Sequence, residues 1–107
     1  MENQHRKIKG YRELSQAEID LMNEVKAKGV ELGELVAKIR THLLAQENES
    51  HKATQRAIRE NLPTDEVNAE SDRIREAEAL RWASIAKTDF QTGLMALTRS
   101  IAQPGFF

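Results

Sequence analysis

Apolar residues recur every three or four positions in two long stretches of the chain, and this spacing constrains the fold more than any other feature. It places the apolar side chains of each stretch on one face of an α-helix. The sequence therefore predicts an all-α fold, a helical hairpin of two long antiparallel helices. The apolar positions are Ile19, Met22, Val25, Leu32, Leu35 or Val36, Ile39 and Leu43 in the first helix, and Ile74, Ala77, Leu80 or Arg81, Phe90, Leu94, Leu97 and Ile101 in the second.

Local signals set the predicted ends of these helices. Ser15 and Glu18 have the spacing of a capping box, so the first helix is expected to begin there. Pro63 interrupts the helical pattern, and Thr64 and Asp65 are possible caps for the second helix. We predict one helical domain over residues 1–107, with a basic arm at 1–14, a helix at 15–46, a connection at 47–63, a helix at 64–103 and a tail at 104–107.

Gly29 and Gly33 lie inside the first predicted helix, where each costs about 1 kcal/mol of helix propensity relative to alanine. Their presence indicates that something approaches the backbone closely. A tight helix crossing or a bend is one interpretation, and room for a ligand against bare backbone is the other.

Composition limits the core and the classes of partner. A chain of 107 residues that is 39% hydrophobic and 31% charged has too little apolar surface to seal a large core alone, so a compact homo-oligomer is expected. The formal net charge of −1 argues against a protein that coats DNA. The absence of cysteine excludes disulfides and thiolate sites, and no apolar run suits a membrane span or a signal peptide. We expect a soluble cytoplasmic protein.

The residues give little support for catalysis or for a cofactor. The histidines, His5, His42 and His51, accompany no recognisable nucleophile motif and do not have the spacing of a metal site. Acidic clusters around Glu31 and Glu70 could hold magnesium, but the interleaved cations favour solvated helix faces. We predict that the chain is not an enzyme and has no metal or other cofactor.

The basic arm carries the one pattern that suits a nucleotide. Tyr11 lies in the sequence among the cations Arg6, Lys7, Lys9 and Arg12. Its aromatic ring could stack on a base, and a neighbouring cation could contact a phosphate. A short basic arm can equally be solvated, and a tyrosine can pack within the protein instead of stacking on a base. The arm alone leaves both interpretations open.

Longer segments at both ends of the chain carry a more specific pattern. The N-terminal segments are His5-Arg6-Lys7-Ile8-x-Gly10-Tyr11-Arg12-x-Leu14-Ser15 and Leu21-Met22-Asn23-Glu24-x-Lys26. The C-terminal segments are Arg81-Trp82-x-Ser84-Ile85, Thr88-Asp89-Phe90-Gln91-Thr92-Gly93, Met95-Ala96-Leu97-Thr98-Arg99 and Ile101-Ala102-Gln103-Pro104. Together these segments resemble the phage anti-CBASS cyclic-oligonucleotide sponge family, with the weakest similarity at about residues 42–68.

The resemblance implies that the chain binds cyclic di- or trinucleotide messengers of bacterial CBASS defence, such as cyclic GMP-AMP, and holds them without cleavage. It implies a homo-hexamer built as three interlocked dimers that acts in the cytoplasm of the infected host. Neither DNA nor a membrane is an expected partner.

The resemblance also implies site residues. In that family a cyclic dinucleotide lies between protomers, an aromatic residue stacks on a base and a lysine engages the ligand; the matching positions here are Tyr11 and Lys26. Arg12 is a further candidate as the neighbouring cation of the arm. Some members hold cyclic trinucleotides in a separate pocket on a threefold axis, for which Thr92 and Arg99 are candidates, with core or interface packing as the alternative.

Three other functions stay open at this point. The apolar stripes and basic arm would also suit a helical protein–protein interaction module. A phosphodiesterase that degrades the messenger is a second alternative, and a DNA-binding regulator is a third.

Overall fold

The computed structural model describes residues 12–105, and all of its regular secondary structure within that range is helical. Helix α1 spans Gln16–Arg59, α2 spans Asp65–Ala77 and α3 spans Ala79–Ala102. The predicted all-α class is confirmed. Residues 1–11 of the predicted arm and residues 106–107 of the predicted tail lie outside the described range.

Helix α1 begins where the sequence predicts and ends later than predicted. It runs through residues 47–59, although the polar residues 47–50 predict a turn, and the weakly amphipathic pattern at 51–61 predicts at most a separate helix within the connection. That stretch holds neither glycine nor proline, and ion pairs one helical turn apart support it, from Lys52 to Glu49 at 3.8 Å and from Arg56 to Glu60 at 2.6 Å. Polarity alone therefore does not end a helix.

The end of α1 is a left-handed cap. Asn61 has a φ of 54°, its N–H bonds the carbonyl of Ile58 at 3.3 Å, and the N–H of Leu62 bonds the carbonyl of Ala57 at 2.8 Å. This pair of bonds defines a Schellman motif, and a proline that cannot continue the helix follows it. The interruption predicted at Pro63 is confirmed.

The second predicted helix, residues 64–103, is two helices with a break at Glu78. This residue has φ 49° and ψ 42°, which is left-handed backbone, and its N–H bonds the carbonyl of Arg75 at 3.3 Å. Thr64 occupies the N-cap position of α2, but its side chain makes no capping hydrogen bond. No glycine or proline near Glu78 signals the break in the sequence.

The described chain divides into two compact units. The first contains residues 12–33 and 88–105, and the second contains Glu34–Lys87. That residues 1–107 form a single domain stays a prediction.

In the first unit, α1 and α3 run antiparallel. Arg12, just before α1, contacts Ile101 near the end of α3, whereas Gly29 farther along α1 meets Leu94 farther back on α3. The close approach expected at the two glycines is therefore present at Gly29. Gly33 has no neighbouring atom within 4 Å of an added Cβ among the described residues, so no helix of this chain crosses closely there and the backbone is left open.

The second unit contains Val36 and Ala57, which both belong to α1. These two are the only buried residues among residues 12–105. The Arg40 guanidinium donates to the Ser84 hydroxyl on α3 at 3.5 Å. Trp82 is 58% exposed, with the Arg81 guanidinium 5.4 Å from the centre of its ring. Few side chains among residues 12–105 are therefore buried, and the tryptophan is exposed.

Candidate ligand-binding site

A groove between α1 and α3 is the main concave feature of the first unit. It has a volume of about 900 Å³ and is open to solvent. Its lining is predominantly apolar, with two cationic side chains, Lys26 from α1 and Arg99 from α3. The lining residues are Met22, Asn23, Val25, Lys26, Gly29, Leu94, Met95, Ala96, Thr98, Arg99, Ala102 and Pro104.

Helix periodicity explains why α1 presents these side chains together. Met22, Val25, Lys26 and Gly29 are separated by steps of three and four, so they share one face of the helix. Gly29 leaves room at this face because it has no Cβ, and the side chain of Leu94 occupies that room. Gly29 and Leu94 therefore bring α1 and α3 close together within the groove lining.

The C-terminal end of α3 contributes to the groove lining. Gln103 has a φ of 47°, and its N–H bonds the carbonyl of Arg99 at 2.8 Å, which ends the helix. Pro104 follows and lines the groove together with Ala102. Thr98 also lines the groove, and its hydroxyl donates to the carbonyl of Leu94 at 3.0 Å.

Arg12 joins the beginning of α1 to the end of α3. Its Nη1 atom donates to Glu18 Oε1 at 3.2 Å, and its Nη2 atom forms an ion pair with Glu18 Oε2. The same Nη2 atom donates to the carbonyl of Ile101 at 2.8 Å. The Nε atom of Arg12 is buried without a hydrogen-bond partner among the described residues.

The capping box predicted at Ser15 is confirmed, and it shares its carboxylate with Arg12. The Ser15 N–H donates to Glu18 Oε1 at 2.8 Å, and the Glu18 N–H donates to Ser15 Oγ at 3.2 Å. Hydrogen bonds from the Arg12 side chain and the Ser15 backbone lower the pKa of Glu18 from 4.5 to about 2. The same contact with Glu18 raises the pKa of Arg12 above its ordinary value.

The structure places the predicted site residues in different surroundings. Lys26 and Arg99 line the same groove. Arg12 lies beside the end of that groove, since Ile101 precedes Ala102 in the chain. Thr92 is exposed on α3 and is not among the lining residues. Tyr11 lies outside the described residues.

Sequence reasoning missed much of the α3 side of the groove. Met95, Ala96 and Ala102 lie off the apolar stripe predicted for the second helix, and Met95 is 71% exposed. Periodicity predicts which residues face a packed neighbour, and it gives no signal for residues that border an open groove.

A smaller groove of about 400 Å³ lies on α1 in the second unit. His51, Lys52, Gln55, Arg56 and Arg59 line it. Lys52 and Arg56 pair with carboxylates three and four residues away along the chain, as described above, so this surface has the character of a solvated charged face. The groove of the first unit is the better candidate for ligand binding.

Two further structural observations bear on function. No three His, Asp or Glu side chains within residues 12–105 are grouped closely enough to hold a metal ion. Of the three helices in that range, none has the length and hydropathy of a membrane span.

Comparison with known proteins gives the family. Residues 3–102 match the family described as the Acb2/Tad1 hairpin domain. The chain is also 52% identical, over 107 aligned residues that cover 97% of each protein, to "Anti-CBASS protein 2" of Pseudomonas phage JBD67. Because the match extends over nearly the whole chain, this protein belongs to the Acb2/Tad1 hairpin-domain family.

Proposed function

We propose that this chain is a phage anti-defence protein that sequesters the cyclic di- and trinucleotide messengers of CBASS without cleaving them. Its 52% identity to an anti-CBASS protein over 97% of both chains is the observation that carries the proposal. By holding the messenger, the chain prevents activation of the CBASS effector. It acts in the cytoplasm of the infected bacterium and performs no chemistry.

The chemistry of the first-unit groove supports this function. A cyclic dinucleotide combines flat apolar base faces with anionic phosphates. The groove combines an apolar lining with the cation of Lys26, so the bases and the phosphates of a cyclic dinucleotide would each meet a suitable surface.

Tyr11, Lys26 and Arg12 are the residues we assign to the cyclic dinucleotide. The Tyr11 ring would stack on a base, and the Lys26 ammonium would meet a phosphate. Arg12 joins them as the next residue of the arm. Thr92 and Arg99 are the candidates for a separate trinucleotide pocket, and of these two Arg99 already lines a groove.

Exposed apolar residues support self-association, and the resemblance to the sponge family adds the expectation of a homo-hexamer of three interlocked dimers. A single chain leaves four large apolar side chains at least half exposed: Val30 is 58% exposed, Leu44 50%, Ile58 67% and Met95 71%. Covering such residues with further copies stabilises the fold. A two-fold interface would also give each half of a symmetric cyclic dinucleotide the same ring and the same cation.

Isothermal titration of the purified protein with a panel of cyclic di- and trinucleotides, including cyclic GMP-AMP, tests the function. Saturable binding that survives chelation of divalent metals is the expected result. The nucleotide recovered after heat denaturation should be intact by chromatography, whereas a linear product would favour a phosphodiesterase. Absence of binding to every messenger in the panel would favour the protein–protein interaction module instead.

A further inference from the structure

We propose that Asn23 is a specificity-determining residue of the groove, whose side-chain amide hydrogen-bonds the edge of an adenine base in the bound messenger. This inference rests on the proposed function, in which the groove of the first unit holds a cyclic dinucleotide. The juxtaposition that carries it is the amide of Asn23 in the groove lining, three residues before the cation of Lys26 on α1.

Asn23 is the one amide side chain in the described lining of the groove. Lys26 and Arg99 are the cations of that lining, and its other polar side chain is Thr98. The hydroxyl of Thr98 already donates to the carbonyl of Leu94 at 3.0 Å. Within the described chain the Asn23 amide has no hydrogen-bond partner, and the residue is exposed. Asn23 therefore brings a free donor and a free acceptor to the groove.

Asn23 does not support α1 in the way that asparagine usually supports a helix. It lies seven residues after Gln16, the first residue of the helix, and so is beyond the position where an asparagine caps free N–H groups. In a helix interior asparagine is a poorer helix former than alanine, because its amide competes for backbone hydrogen bonds. No contact of the side chain within the described residues offsets that cost, so a ligand explains the residue better than the fold does.

The spacing of Asn23 and Lys26 suits a single nucleotide. Residues three apart on a helix are neighbours on its surface, so the amide and the ammonium lie side by side in the groove. In a nucleotide one sugar links the phosphate to the base. The cation is the stronger partner for the phosphate, which leaves the uncharged amide for the edge of the base.

The hydrogen-bonding pattern of an amide favours adenine over guanine. An amide offers a donor next to an acceptor, and adenine presents the complementary pair on its N6/N7 edge and again on its N6/N1 edge. Guanine presents two acceptors, O6 and N7, on the first of these edges and matches an amide only on the other. We therefore expect the groove to prefer messengers that contain adenine.

Isothermal titration with cyclic di-AMP and cyclic di-GMP tests the assignment. The two ligands share the same ring and the same two phosphates and differ only in the base, so the ratio of their dissociation constants reports on base recognition. The parent should bind cyclic di-AMP at least about fivefold more tightly, the lower limit for one bidentate base contact. Asn23→Ala should bring the two affinities within about twofold of each other. Alanine is the better helix former, so this variant should fold.

Asn23→Asp should change the direction of the preference. A carboxylate accepts hydrogen bonds but cannot donate to adenine N7, whereas the N1–H and N2–H groups of guanine can both donate to it. Its negative charge weakens both ligands to a similar degree, because each has two phosphates. The ratio should therefore move towards cyclic di-GMP, and an undiminished preference for cyclic di-AMP would contradict the base contact.

Three control variants separate base recognition from charge and from general effects of substitution. Lys26→Ala should weaken both ligands by the same factor and keep the parent ratio. Thr98→Val keeps the shape of a groove side chain, removes a hydroxyl that is already engaged and should also keep the ratio. Asn48→Ala is the same substitution at an exposed position of α1 outside the groove lining, and it should bind both ligands like the parent.

The outcomes for Asn23 and for the proposed function are distinguishable. A parent-like ratio in Asn23→Ala would overturn the proposal, as would a parent protein that binds both ligands equally; the sponge function would stand in either case, because binding is observed. A parent that binds neither ligand would also reject the base contact. Absence of binding to the whole panel of cyclic di- and trinucleotides would contradict the proposed function itself.

Discussion

Leu94 lies directly against Gly29, with its Cδ1 atom 3.2 Å from the position that a Cβ on Gly29 would occupy. Gly33, one turn farther along α1, has no such neighbour. Gly33→Ala should therefore stabilise the protein by about 1 kcal/mol through helix propensity. Gly29→Ala should gain less or lose stability, because Leu94 must move by a few tenths of an ångström. Denaturant titration measures both, and equal gains would show that Leu94 yields without cost.

The small buried core makes a clear prediction about Val36. This side chain is 7% exposed, whereas Val30 on the same helix is 58% exposed. Val36→Ala should lower the free energy of unfolding by about 2 kcal/mol, from two lost methyl groups and a residual cavity. Val30→Ala, the matched control, should change it by less than about 0.5 kcal/mol. If the two variants lose equal stability in urea titrations, Val30 is buried in the assembled protein.

The ion pair of Glu18 predicts a loss of stability in acid. Because its pKa is about 2 in the folded protein and 4.5 ordinarily, the unfolded chain binds more protons between these values. The stabilisation is complete above pH 4.5 and is lost as the pH falls towards about 2. Urea midpoints across this range should fall less steeply for Glu18→Gln than for the parent. A slope in Glu18→Gln identical to that of the parent would contradict the pKa assignment.

The exposed apolar residues predict self-association. Light scattering at micromolar concentration should report several times the mass of one 107-residue chain, with a hexamer as the expected species. The physical reason is that one protomer leaves side chains such as Met95 largely exposed. A stable folded monomer would contradict the assembly proposed above.

Ligand binding should depend on Lys26 and not on its neighbour Lys28. Lys26 lines the groove, whereas Lys28 forms an ion pair with Glu31 at 3.3 Å and is absent from the lining. Lys26→Ala should remove a charge-assisted contact worth about 1.5–3 kcal/mol, which is at least tenfold in affinity. Lys28→Ala has the same change in charge and should bind like the parent in isothermal titration. Equal losses would mean that only net charge matters.

The stacking role assigned to Tyr11 has its own test. Tyr11→Ala should lose about 1–3 kcal/mol for each stacked base, and a two-fold site loses it twice. Tyr11→Phe keeps the ring and should retain most of the affinity, while light scattering should show the same assembly for both variants. Parent-like affinity in Tyr11→Ala would reject this residue as a ligand contact even if the sponge function stands.

The sequence by itself determined the helical class, the start of α1 and the interruption before Pro63. These features depend on short-range physics. A capping box lies within four residues, an apolar stripe repeats every turn, and a proline removes a backbone donor wherever it occurs. The resemblance also identified the family, because it depends on residue identities along the chain.

Only the tertiary structure decided which residues border the groove and what Arg12 contacts. Arg12 and Ile101 are 89 positions apart, so their hydrogen bond has no local signal. The extension of α1 to Arg59 and the left-handed break at Glu78 also escaped prediction. Glutamate, glutamine, lysine and arginine all have high helix propensity, so a polar stretch can continue a helix. The left-handed backbone at Glu78 has no glycine or proline beside it that would signal a break.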